Sequence, residues 1–163
     1  MNIVLAGMPG SGKTTVANAL ENLGKKVVDT DAEIVKKHGE ISKIFSQYGE
    51  EYFRNLETET VGEISALSDI VISTGGGCLL RSENVSLLKR NGKIIYLRTR
   101  PQTLIKRVEG NFDRPLLRDG AKERINALYA ARKSIYEGAA DFTVDTDELT
   151  PKQIAEKILE LTK

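Results

Sequence analysis

Near its N-terminus the chain passes from an apolar, β-branched stretch, Asn2 to Ala6, through Gly7-Met8-Pro9-Gly10-Ser11-Gly12-Lys13-Thr14-Thr15 and into residues with helical spacing, Val16-Ala17-Asn18-Ala19-Leu20. The loop satisfies G-x-x-x-x-G-K-[ST] in full, and that pattern demands a strand before it, a helix after it and glycines where the backbone curls. Its chemistry follows from its shape. Successive N–H groups point at phosphate oxygens, and the following helix offers its positive end. Lys13 is placed to reach the β- and γ-phosphates of a nucleotide, and the Thr14 hydroxyl to ligate Mg2+. Gly10, Ser11, Gly12, Lys13, Thr14 and Thr15 are therefore the expected nucleotide-binding residues, with Lys13 also catalytic. A glycine-rich turn that binds nothing is the bland alternative, and the strand-loop-helix setting argues against it.

The same alternation continues to the end of the chain. Short apolar runs at Asn2 to Ala6, Lys26 to Val28, Ile70 to Ser73, Lys93 to Leu97 and Asp141 to Val144 read as five strands, separated by stretches with helical periodicity. Helix ends are marked by Gly24, Gly92 and Thr150-Pro151-Lys152-Gln153, the last a capping box with proline at the first helical position. Strand-helix alternation implies an α/β fold of three layers, with a central five-stranded parallel sheet and ligands at the carboxyl ends of the strands. At 163 residues the chain fits one domain, 1–163. A net charge of +1 gives no support to nucleic-acid or membrane-surface partners, and a single cysteine, Cys78, excludes an internal disulfide framework. With no leader or long apolar run visible, the cytoplasm is the expected location.

The loops after the other strands carry acceptor chemistry. Val28-Asp29-Thr30-Asp31 follows the second strand, which is expected to be an inner one, and leads toward a helix beginning near Ala32. One of its carboxylates can serve the magnesium shell and the other an acceptor hydroxyl, although an aspartate there also makes a good N-cap. In Gly49 to Glu57, Arg54 and Glu57 are three apart on a helical stretch, so the glutamate can hold the guanidinium as a fork for a carboxylate, or the two can form a surface pair of little value. Gly75-Gly76-Gly77 follows the third strand and either offers backbone that a ligand can touch directly or, taken alone, is simply a flexible turn. The stretch Arg107 to Gly120 reads as a lid in which Arg114 could close over the transferring phosphate. Arg132 on its own could be a solvated helix residue.

Together GMPGSGKTT, VDTDAEI, GEEYFRNLE, STGGG, RPLL and the R-x-x-x-Y of Arg132 to Tyr136 resemble shikimate kinase, in that family's order and over nearly the whole chain. The resemblance implies a P-loop, nucleoside-monophosphate-kinase-like fold with a substrate-binding segment at about 31–60 and a lid at about 109–121. It implies transfer of the γ-phosphate of MgATP to the 3-hydroxyl of shikimate, a step toward chorismate and the aromatic amino acids. It assigns Asp31 to the shikimate hydroxyls and the reacting centre, Asp29 with Thr14 to the metal, and Arg54 and Arg132 to the shikimate carboxylate. Gly76 and Gly77 would touch shikimate through their backbone, Arg114 would meet the ATP phosphates, and Arg107 would lie along the adenine. Shikimate and ATP are then the partners and a monomer the expected state. The rival readings are a related small-molecule kinase for gluconate or a nucleoside monophosphate, and a non-catalytic shikimate or nucleotide sensor.

Overall fold

The computed structural model describes residues 1–109 and 120–163, and Arg114, with most of the expected lid, lies outside them. Five parallel strands form one sheet: β1 (Asn2–Ala6), β2 (Lys26–Asp29), β3 (Ile70–Ser73), β4 (Gly92–Arg98) and β5 (Phe142–Asp145), in the order β2-β3-β1-β4-β5. β1 is central and buried along its whole length, which is why Asn2 to Ala6 shows no polar alternation. Its odd and even residues serve opposite cores. Ile3 and Leu5 join Val71, Ile95 and Leu97 beneath helices α1 (Lys13–Asn22) and α8 (Pro151–Leu161). Val4 and Ala6 join Ile72, Ile94 and Tyr96 on the other face, beneath α4 (Glu50–Ser65), α5 (Ser82–Arg90) and α7 (Ala121–Ala139). Truncating such a fully buried aliphatic residue costs about 2–5 kcal/mol.

Two expectations are corrected. β2 is an edge strand, not an inner one, because β3 inserts between it and β1 and the chain then crosses to build the sheet on β1's other side. The helix after it, α2 (Thr30–His38), starts at Thr30 and not near Ala32, since the Asp29 carboxylate accepts from the Ala32 N–H at 2.9 Å and caps it. Asp31 consequently sits in the first helical turn. Helices α2, α3 (Ile41–Tyr48) and α4 enclose a small separate core of Ile34, Ile44, Phe53 and Leu56, which stands α2 and α4 beside the carboxyl edge of the sheet. Between β4 and α7 runs α6 (Pro101–Glu109). Among the described residues no helix is long and apolar enough to cross a membrane.

Candidate active site

The loop after β1 curls as the motif requires. Gly10 and Gly12 have φ of 81° and 96°, a left-handed region that a side chain would strain. A Cβ on Gly7 would fall 2.8 Å from the Leu97 carbonyl oxygen, so β4 packs directly on the loop. The Lys13 ammonium donates to the carbonyls of Gly7 at 2.6 Å and Met8 at 3.1 Å. Burial draws its pKa down to about 8, against the pull of Asp31 and Asp29, and Arg132 lowers it further. A cavity of about 420 Å³ opens over Gly10 to Val16, a size suited to a nucleotide. Arg107 lines it and donates from Nη1 to the Gly10 carbonyl at 2.8 Å. Its far end is made by Thr146, Leu149, Pro151 and Ile154. These last three had one faint signal in the sequence, their apolar character around the capping box at Thr150.

Three further side chains, from three helices, converge on the loop after β3. An alanine Cβ at Gly75 would lie 2.8 Å from Asp31 Oδ1, at Gly76 3.2 Å from Arg132 Nη1, and at Gly77 2.6 Å from Arg54 Nη1. Asp31 comes from α2, Arg54 from α4 and Arg132 from α7. The glycines are what let them approach. Gly75 is tied to the first residue of α2 by its N–H, which donates to the buried Thr30 hydroxyl at 3.1 Å. Gly76 is tied to α7 by its carbonyl, which accepts from the Tyr136 hydroxyl at 2.6 Å.

Arg54 and Glu57 are no surface pair. Glu57 is 1% exposed and its Oε1 accepts from Arg54 Nη1 at 2.8 Å, while Glu50 stands 3.5 Å from the other Nη. Burial works against the Arg54 charge, but the hydrogen bond and the charges of Glu57 and Glu50 win and hold the guanidinium ionised. Arg81 fastens the outer side of α4 through Glu51 and Asn55, both at 2.8 Å. Burial and the neighbouring Asp29 raise the Asp31 pKa, with Lys13 and Arg54 opposing. The carboxylate thus stands between two cations without forming a hydrogen bond to either among the described residues. Cys78, wholly buried with its thiol pushed up by burial, packs behind the strip. His38 ends α2 ahead of Gly39, as expected of a helix terminus.

A glycine-turned phosphate loop and a carboxylate-arginine cluster beside it suit transfer of phosphate to a small hydroxylated acid. Comparison with known proteins agrees. The family model for shikimate kinase matches residues 9–163. The chain belongs to that family. It is 44% identical to the shikimate kinase of Caldicellulosiruptor bescii, covering 98% of this chain and 94% of that protein. With the shikimate kinase of Thermodesulfovibrio yellowstonii it shares 44% identity, covering 97% of this chain and 92% of that one. Among solved structures, shikimate kinase from Acinetobacter baumannii in complex with shikimate superposes with a TM-score of 0.89 at 35% identity, covering 99% of this chain and 92% of that one. Shikimate kinase from Aquifex aeolicus gives 0.83 at 34% identity, covering 98% and 95%.

Proposed function

We propose that this protein transfers the γ-phosphate of ATP to the 3-hydroxyl of shikimate, with the crevice around Gly75 to Gly77 as the acceptor site. ATP-dependent phosphorylation of shikimate comes with membership of the family; the assignment of roles rests on one observation, that Asp31, Arg54 and Arg132 meet on a strip of three glycines beside Lys13. Arg54, held by Glu57, and Arg132 form two sides of a carboxylate clamp. A small acid gripped there would set a ring hydroxyl against Asp31. With no hydrogen bond to its carboxylate among the described residues, Asp31 is able to orient that hydroxyl and to take its proton as the bond to phosphorus forms.

On the donor side the Gly10 to Thr15 backbone cradles the phosphates, and Lys13 leaves its carbonyl partners for the β- and γ-oxygens. The apolar end of the cavity at Leu149, Pro151 and Ile154 takes the adenine, with Arg107 over the loop. Arg114 is assigned to the phosphates from the lid at about 109–121, and helices α2 to α4 are the substrate-binding segment of a single domain. The donor set fits Mg2+: Thr14, which carries a hydroxyl, lines the cavity over the phosphate loop, and Asp29 uses Oδ1 as a cap and keeps a second oxygen for a metal-bound water. Among the described residues no group of three or more histidine, cysteine, aspartate or glutamate side chains is placed to hold a metal ion. The cation supplies neutralisation of the phosphate charge. The chain works as a cytoplasmic monomer.

A coupled ADP-release assay tests the reading. Turnover should depend on shikimate and vanish without it, and the product should carry phosphate on the 3-oxygen. An ATP-only rate unchanged by millimolar shikimate, or preference for gluconate or a nucleoside monophosphate, would overturn it.

A further inference from the structure

Gly75 to Gly77 has its polar groups sorted in an unusual way. The Gly75 N–H donates to Thr30 at 3.1 Å, and the carbonyls of Gly75 and Gly77 accept from the N–H groups of Cys78 at 3.1 Å and Leu80 at 3.2 Å. The Gly76 carbonyl is taken by Tyr136 at 2.6 Å. All three carbonyls are therefore engaged, while the N–H groups of Gly76 and Gly77 donate to nothing among the described residues. A peptide unit is planar and trans, so its carbonyl and its N–H point in opposite directions. Fixing the oxygen of Gly76 fixes the direction of the Gly77 N–H.

That peptide is flanked by glycine on both sides, and neither residue has a Cβ to resist a flip. A flip would present a carbonyl where an anionic acceptor needs a donor. What resists it is Tyr136, 2% exposed, its ring packed on Tyr96 with centroids 5.2 Å apart. Burial pushes the phenol up, with the Arg132 guanidinium pulling the other way, so at neutral pH the hydroxyl keeps its proton and donates. Tyr136 also lies one helical turn after Arg132 on α7. One helix face thus delivers a guanidinium and a carbonyl anchor to the same glycine.

We propose that Tyr136 is a positioning residue for the acceptor: by holding the Gly76 carbonyl it aims the Gly77 N–H away from the core as a donor to the substrate, and it sets Arg132 against the same peptide. This rests on the reading of the strip as the acceptor site. Tyr136→Phe removes the hydroxyl and keeps the ring on Tyr96. The KM for shikimate should rise about tenfold as a half-buried carbonyl loses its donor and the peptide is freed, with the KM for ATP nearly unchanged and the melting temperature little affected because water can replace the donor. In NMR spectra of the wild type the Gly77 amide should shift on addition of shikimate, and in the variant that response should shrink. Parallel loss in both KM values together with a lowered melting temperature marks Tyr136 as merely structural, and an unchanged shikimate KM also overturns the proposal. Should the variant fail to fold, the wild-type spectrum decides, since a Gly77 amide indifferent to shikimate refutes the donor role. If the wild type does not turn over shikimate at all, the acceptor reading has failed and this one falls with it; turnover with a normal Gly77 response in the variant sinks only this one.

Discussion

Val-Asp-Thr-Asp occurs twice, at Val28 to Asp31 and at Val144 to Asp147, and the two copies occupy matching places on opposite edges of one sheet. Each first aspartate ends its strand, Asp29 opposite Ser73 of β3 and Asp145 opposite Arg98 of β4. Each threonine is buried and reaches to the neighbouring loop, Thr30 accepting from the Gly75 N–H and Thr146 sharing a 2.7 Å hydrogen bond with Thr99. The second aspartates part company. Asp147 accepts from the Arg100 N–H at 3.1 Å and from the Thr103 hydroxyl, tying down the start of α6. Asp31 meets Gly75, which has no side chain, and its carboxylate makes no hydrogen bond among the described residues while the charges of Lys13 and Arg54 act on it. The same four residues are a clamp where the adjacent loop supplies donors and a site where it supplies only glycine. Chemistry here is decided by the neighbour, not by the spelling.

The comparison is most directly broken by neutralising Asp31. Asp31→Asn should lower shikimate-dependent turnover about 10²- to 10⁴-fold with nucleotide affinity nearly unchanged; steady-state ADP release and nucleotide titration measure both, and a large loss of ATP binding would reassign Asp31 to the metal or the fold. Filling the bare neighbour comes next. A Cβ at Gly75 would press on Asp31 Oδ1 at 2.8 Å, so Gly75→Ala should cut kcat/KM for shikimate about ten- to a hundredfold, and unchanged kinetics would show that the open carboxylate does not need the gap.

The pH dependence of nucleotide binding separates the copies by charge. Lys13 is drawn to about 8 by burial, so ATP affinity should weaken as pH rises through about 8, with proton uptake on binding visible in calorimetry across buffers of different ionisation enthalpy. Asp31 opposes that depression, so Asp31→Asn should move the alkaline limb to lower pH, whereas Asp147→Asn should leave it in place. In the second copy the effects fall on stability. Burial works against ionisation of Asp147, but its hydrogen bonds from Thr103 and the Arg100 amide hold the carboxyl low; Asp147→Asn should cost about 1–2 kcal/mol by denaturant titration and leave kcat nearly unchanged. Smallest is Asp145, whose contact with Arg98 lies between side chains 67% and 38% exposed. Asp145→Asn should cost under about 1 kcal/mol.

Much of the site was legible because it is local. The phosphate loop is one contiguous segment whose full motif sits in the strand-loop-helix setting it requires, and Arg54 with Glu57 is a spacing of three on a helix. What was not legible depends on which strands become neighbours. Alternation of strand and helix implies parallel pairing but not that β3 inserts beside β1 and leaves β2 at the edge. No pattern in Thr30 announces that its hydroxyl receives an amide from 45 residues away, nor in Tyr136 that it anchors Gly76 across 60. Asp29 reads for the metal, and the cap is the alternative at Asp31, before Ala32-Glu33-Ile34; the structure moves the cap two residues back to Asp29 and leaves that carboxylate one oxygen over.

By itself the sequence determined the layers, the parallel sheet, the phosphate cradle and the residue types that an acceptor acid requires, because each follows from periodicity or from a motif closed within a few residues. Only the tertiary structure decided which Val-Asp-Thr-Asp faces a bare strip, that Leu149, Pro151 and Ile154 close the nucleotide cavity, and that Asp31, Arg54 and Arg132 meet at Gly75 to Gly77. Those are contacts between segments distant in the chain, and their geometry is set by strand order and by where a missing side chain lets two backbones approach.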